Sequence, residues 1–322
     1  MLYPFTFTPI FKERVWGGRK LAELYGKALP PGVPIGESWE ITDRPEGVSV
    51  IANGPLAGRT LRWLMEHHAR EMLGAARPAA EGRFPLLVKL LDARDRLSLQ
   101  VHPPASKAAA LRGEPKTEMW YFADCDPGAD IYVGLKRGVT RAEFERRIAD
   151  GTVAECFHRV EVKRGDAMFL PSGRVHALGA GSVLFEIQQN SDTTYRVFDW
   201  NRVGLDGKPR ELHVAQAMES IDFADFEPGL VLRGGATGDP PIPIVRHELF
   251  DVALWRVPQG KPARFKGASA TVIGLVEGDL TVQSASGDAA LRPGGFCVVP
   301  ASAGEFTVAA GADAKFLLAE AK

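Results

Sequence analysis

Cysteine is scarce in this chain: three occur in 322 residues, at positions 125, 156 and 297, with no CxxC pair. An odd number at wide spacing excludes a disulfide framework and points to a reducing cytoplasm. Long apolar runs are missing too. No stretch reaches the roughly eighteen apolar residues that a membrane helix needs. The opening Met1-Leu-Tyr-Pro-Phe-Thr-Phe lacks the basic segment and apolar core of a secretory signal, so none is expected. There is no excess of either charge: 39 Lys and Arg face 40 Asp and Glu, a formal net charge of −1. Binding to nucleic acid or a membrane surface through bulk charge is therefore not expected, although one basic pocket is still allowed. What remains is the composition of an ordinary globular enzyme, 45% apolar and 25% charged. The length suits about two domains and a core that needs no staples.

The chain reads as mainly strands and turns with a few short helices. Residues 1–57 mix aromatic and turn residues, and Pro30-Pro-Gly-Val-Pro34 forbids a helix there. Leu61, Leu64, Met65, His68 and Met72 recur at helical spacing, which predicts an amphipathic helix over 58–74. Thr140 with Glu143 makes a capping box and predicts a helix over 140–158; a short helix is expected over 211–221. Phe84–Leu91, Glu161–Pro171 and Ser182–Gln189 read as strands. The Gly- and Pro-rich stretch 227–243 predicts a boundary between a first domain, 1–230, and a second, 240–322. Leu291-Arg-Pro-Gly-Gly-Phe-Cys-Val-Val-Pro300 echoes Val162–Pro171, a turn, four apolar-biased residues and Pro. The echo suggests a duplicated β unit whose second copy lacks the histidine that follows the first.

Three segments carry chemistry. In Leu97-Ser-Leu-Gln-Val-His-Pro103, Gln100 and His102 alternate with apolar residues and share one strand face. Lys116-Thr-Glu-Met-Trp-Tyr-Phe122 supplies Glu118. Leu170-Pro-Ser-Gly-Arg-Val-His176 supplies a second imidazole after a tight turn. Two His, a Glu and a Gln are a donor set for one divalent metal with a position left open for chemistry. His67-His68 lies on an ordinary charged helix face, and His158, His213 and His247 have no comparable neighbours. Lys89 interrupts an apolar run, where a lysine needs a partner. Either it and Ser98, which shares the Gln100 face, anchor a phosphate, or Lys89 pairs with an acid such as Asp92 or Glu40. Trp16, Trp39 and Trp120 lie close to these segments, as pocket wall or, for at least two of them, as core.

The segment Gly165-Asp-Ala-Met-Phe-Leu-Pro-Ser-Gly-Arg-Val-His176 resembles the second motif of cupins, the double-sheet jelly-roll barrels. Together with Leu97–Pro103, Lys116–Tyr121 and Asn190-Ser-Asp-Thr-Thr-Tyr-Arg196, it resembles the type I mannose-6-phosphate isomerase family in its short bacterial form. The resemblance runs over nearly the whole chain, from Trp16-Gly-Gly18 to the final block. It implies a mainly β fold of cupin barrels, one metal-bearing and one degenerate. It implies one Zn²⁺ per chain held by Gln100, His102, Glu118 and His176, and Arg196 as a catalytic arginine. The chain has little room for the extra helical domain of longer members, so phosphate contacts from that region cannot be transferred.

The implied activity is aldose–ketose isomerisation of a sugar phosphate, mannose 6-phosphate to fructose 6-phosphate, through a cis-enediol. The residues suit it. A metal with an open position polarises a carbonyl, and a fixed guanidinium at Arg196 stabilises enediolate charge. A base must reach the C1 and C2 protons. Lys116, two residues before Glu118 and on its strand face, is one candidate, because a nearby cation favours the neutral amine; Asp192 is another. Two rival readings stay open. A non-catalytic sugar-binding or regulatory cupin has no need of Lys116 and Arg196 beside a metal. A non-haem Fe(II) oxygenase also uses two His and a carboxylate, but Gln100 as a fourth ligand takes a position its co-substrates need.

Overall fold

The computed structural model describes residues 1–234 and 241–322. Its first part is two facing antiparallel sheets. One has six strands in the order Ala167–Leu170, Glu118–Cys125, Ser182–Gln189, Leu86–Ala93, Ile10–Gly18, Ile35–Ile41. The other has five: Phe157–Glu161, Asp130–Leu135, His176–Leu178, Leu99–Val101, Tyr195–Phe198.

Period-two alternation explains how the sheets face each other. In the six-stranded sheet Val88, Leu90, Met119, Tyr121, Phe185 and Ile187 point outward into a core shared with the C-terminal part. Leu91, Trp120, Phe122 and Leu184, on the other face, pack against Ile131, Val133 and Leu178 of the five-stranded sheet. The outer face of that second sheet is covered by helices: Leu99, Val101, Ala177 and Val197 join Phe144 and Met218 in a separate core. One end of the space between the sheets is thus apolar. At the other end the same inward rows carry Lys89, Glu118 and Glu186, all buried.

The helices are few and short. The predicted 58–74 helix spans Leu61–Leu73, with the Thr60 side chain accepting from Trp63 N and a kink at His68. The 140–158 helix is shorter than its pattern suggests. It spans Arg141–Ala149 and starts on the Thr140 cap. The Glu143 carboxylate engages Arg147 instead of closing the box. Gly151, at φ 72°, turns the chain out of the helix. Phe157–Glu161 is an edge strand, because its alternation serves pairing with Asp130–Leu135. The expected 211–221 helix spans Val214–Ser220. No described helix is long and apolar enough to cross a membrane.

The C-terminal part is a seven-stranded antiparallel sheet built on the long strands Thr271–Ser284 and Glu305–Ala321, which enclose Ile273, Leu275, Val282 and Phe316. The echo noted above is real in shape. Phe296–Val299, like Ala167–Leu170, is a four-residue strand ending at a proline. After Pro171 the chain turns into the His176 strand, whereas after Pro300 it enters the short 3₁₀ turn Ala301–Ala303. The bridge between Phe5 and Val298 and the contact of Phe185 with Phe296, 5.2 Å between ring centres, join the parts. Of the expected boundary stretch 227–243, positions 235–240 lie outside the described residues.

Candidate active site

Three adjacent strands place one row of side chains in register. Arg196 pairs with Gln100, and Gln100 with His176. Their sequence neighbours Leu99, Val101, Ala177 and Val197 fill the outer core, so alternation turns this row inward. Facing it, Glu118 begins its strand. His102 follows the Leu99–Val101 strand directly, and both imidazoles are buried.

The ligating atoms of His102, Glu118 and His176 lie within 4.8 Å of one another. His102 Nδ1 is 2.7 Å from the carbonyl oxygen of Thr193, and His176 Nδ1 is 2.9 Å from that of Arg174. Each Nδ1–H therefore donates to the backbone and leaves the Nε2 lone pair facing inward. His176 Nε2 is 3.2 Å from one Glu118 oxygen and His102 Nε2 is 3.7 Å from the other. Lys116 Nζ sits 2.7 Å from Glu118 Oε2 and 3.3 Å from His102 Nε2. Gln100 Nε2 lies 3.4 Å from His176 Nε2, and a half-turn of the amide brings its oxygen there instead.

The charge states suit a cation. Burial, then the Lys116 ammonium, pulls the His102 imidazole down to about 3, so it is neutral near pH 7. Burial pushes the Glu118 carboxyl up, but Lys116 and His102 outweigh it and hold the group well below the usual carboxylate range. Both Glu118 oxygens are buried without a hydrogen bond of good geometry. Buried carboxylate oxygens rarely stay unsatisfied. Two imidazoles with Nε2 turned inward, an ionised carboxylate and an amide fit a divalent metal.

A cavity of about 510 Å³ opens off this centre, lined among others by Ser98, Gln100, Lys116, Asp192 and Arg196. Trp16 lines it too, while Trp39 and Trp120 are core residues. Lys89 reaches the cavity, but its partners differ from those expected. Asp92 instead accepts from the amide of Lys20 at 2.7 Å, and Glu40 pairs with Lys27. Lys89 Nζ lies 3.2 Å from Glu186, 3.6 Å from Asp192 and 3.8 Å from Glu37. Glu37 is held near 2: burial pushes it up, but Lys89 and Arg14 prevail. Glu186 and Glu37 were missed from sequence. A signal existed, since Glu186, like Lys89, is a charge at an inward position of an apolar strand, and the two are register partners. Arg210 was missed because it follows a loop and not a patterned strand. His67, as expected, is exposed and stacks on Trp63.

Fold and site define a class, a cupin with a His–Glu–His cluster between its sheets that could hold a metal ion. Residues 5–127 match the model of the phosphomannose isomerase type I catalytic domain. A probable mannose-6-phosphate isomerase of Bacillus subtilis is 37% identical over 96% of both chains. The crystal structure of the Bacillus subtilis mannose 6-phosphate isomerase superposes with a TM-score of 0.87 at 33% identity, covering 99% of this chain and 100% of that one. A zinc-bound mannose 6-phosphate isomerase, 18% identical, shares the fold at a TM-score of 0.76 over the full length of both chains. The chain belongs to the type I mannose-6-phosphate isomerase family.

Proposed function

We propose that the protein interconverts mannose 6-phosphate and fructose 6-phosphate by moving a proton between C2 and C1. The observation that carries this reading is the Arg196–Gln100–His176 row with Lys116 beside it: a guanidinium and an ammonium at the edge of one metal-ligand set, in one cavity. Gln100, His102, Glu118 and His176 would hold Zn²⁺, one per chain, which supplies Lewis acidity toward the carbonyl and hydroxyl oxygens of the sugar.

The chain's own residues do the rest. Lys116 is one candidate to take and return the carbon-bound proton, in the neutral-amine form that a divalent cation in the neighbouring ligand set would favour; Asp192, on the same wall, is the second candidate for that task. Arg196 opposes the negative charge that develops on O1 and O2. Its guanidinium has no ion-pair partner among the described residues and its Nε is buried without a hydrogen bond, so its donors are available to an incoming anion. Lys89 and Ser98 line the same cavity, with Ser98 Oγ 3.4 Å from Gln100 Oε1, and are candidates for contacts to the substrate.

We further infer that 1–230 is the catalytic domain, that 240–322 is a metal-free supporting domain, and that the protein works in a reducing cytoplasm. The free thiols of Cys125, Cys156 and Cys297 suit that compartment. The test is a coupled assay that follows fructose 6-phosphate formed from mannose 6-phosphate. Turnover that a chelator abolishes and added Zn²⁺ restores supports the reading. No turnover by the zinc-loaded protein overturns it.

A further inference from the structure

Five cations line the cavity: Arg14, Lys89, Lys116, Arg196 and Arg210. A sugar phosphate brings a dianion that needs one of them. All three nitrogens of Arg14 are engaged, Nε at 2.8 Å and Nη2 at 3.3 Å from Glu37 and Nη1 at 3.4 Å from the carbonyl oxygen of Glu13. Lys89 sits among three carboxylates, so a phosphate drawn to it is repelled by all three. Lys116 belongs to the metal centre. Arg196 stands in register with Gln100, beside the reacting end of the sugar.

We propose that Arg210 binds the substrate's phosphate. This rests on the sugar-phosphate isomerase reading above and adds a residue to it. Arg210 Nε and Nη2 each lie 2.6 Å from Asp199. The same buried carboxylate also takes Arg202, at 3.1 and 3.0 Å. Asp199 is thus shared by two guanidiniums, and Arg202 also reaches Asp95 at 3.1 Å, so Arg210 does not hold Asp199 alone. The second terminal nitrogen of Arg210, Nη1, remains for an anion. Asp199 fixes the guanidinium plane and is a positioning residue.

The surroundings suit this role. Arg210 follows a hairpin closed by the Val203–Pro209 bridge and the bond from Gly204 N to Lys208 O. The tip of that hairpin, Gly204 to Asp206, lines the cavity with Arg210. The one carboxylate on the tip, Asp206, accepts from the amide of Lys208 at 3.0 Å. Gly204 lets the hairpin pass closely, since a Cβ there would meet Arg210 Cγ at 3.3 Å. Arg196 and Arg210 are near enough for their charges to repel, and a dianion bound between them relieves that repulsion. The two guanidiniums then divide the work: Arg196 serves the charge that appears during reaction, and Arg210 the charge the substrate always carries.

Steady-state kinetics of zinc-loaded wild-type, Arg210→Gln and Arg210→Lys proteins test this, with inorganic phosphate as a competitive probe. For Arg210→Gln the KM for mannose 6-phosphate and the Ki for phosphate should both rise about tenfold or more, with kcat within about threefold, the pattern of lost uniform binding. Arg210→Lys should fall between, because an ammonium cannot serve Asp199 and phosphate as a planar fork does. Unchanged KM and Ki in Arg210→Gln overturn the assignment. If thermal melting shows that variant unfolded, the Ki of Arg210→Lys decides: a severalfold rise supports the role and an unchanged value overturns it. An inactive wild-type protein would instead refute the isomerase reading itself, so the two failures are distinguishable.

Discussion

Replacing Arg196 with Ala should cut kcat by about 10²–10³-fold, the cost of losing one preorganised donor to a developing oxyanion, or about 2.7–4 kcal/mol. The structure says why the loss should appear in the rate and not in the fold. The carboxylates that act on Arg196 over distance are Asp199 and Asp192, and each has another cation: Arg210 for Asp199, Lys89 for Asp192. Truncation at 196 therefore strands no buried charge, and melting should shift by no more than a surface substitution does. Gln100, proposed above as a metal ligand, keeps its place through backbone pairing on both sides, so metal content should be unchanged. Enediolate charge exists only during reaction, which means a donor aimed at it leaves KM nearly constant. Arg196→Lys should recover part of the rate. The assay is initial rate against substrate concentration for zinc-loaded variants, with elemental analysis of each. A rise in KM with kcat intact would refute the reasoning, because it would make Arg196 a uniform binding residue.

Two further predictions follow from particular side chains. His176→Ala should lose both bound metal and activity while wild type holds one metal per chain; full metal content in the variant, or two tightly held metals in wild type, would contradict the ligand set. Burial pushes the Asp92 carboxyl up to about 6, above its unfolded value near 4. Its contribution to stability therefore falls as pH rises from about 4 to about 6, by roughly 2–3 kcal/mol once both states are ionised. Asp92→Asn keeps an acceptor for the Lys20 amide, so it should gain on wild type above pH 6 and lose that advantage near pH 4; parallel stability–pH curves in urea would show the shift to be absent.

What the sequence determined by itself follows from local rules. Period-two alternation at Gln100 and His102, the Pro-Gly turn before His176 and the cap at Thr140 each act over a few residues. That is why the strands, the His102–Glu118–His176 cluster and the start of the Arg141–Ala149 helix were legible. The family resemblance added Zn²⁺ and Arg196, which no spacing rule supplies. Other features depended on contacts distant in sequence. That Phe157 and His158 begin a strand and do not continue that helix was decided by pairing with Asp130–Leu135. The partners of Lys89 were decided by register: Glu186 lies 97 positions away by number yet directly across the ladder, while Asp92, only three away, faces the amide of Lys20. Arg210 and Asp199 meet only because a hairpin folds back over the cavity. Alternation fixes which face a side chain takes, but only the assembled sheets decide what stands opposite it, and charges respond to distance in space, not to distance along the chain.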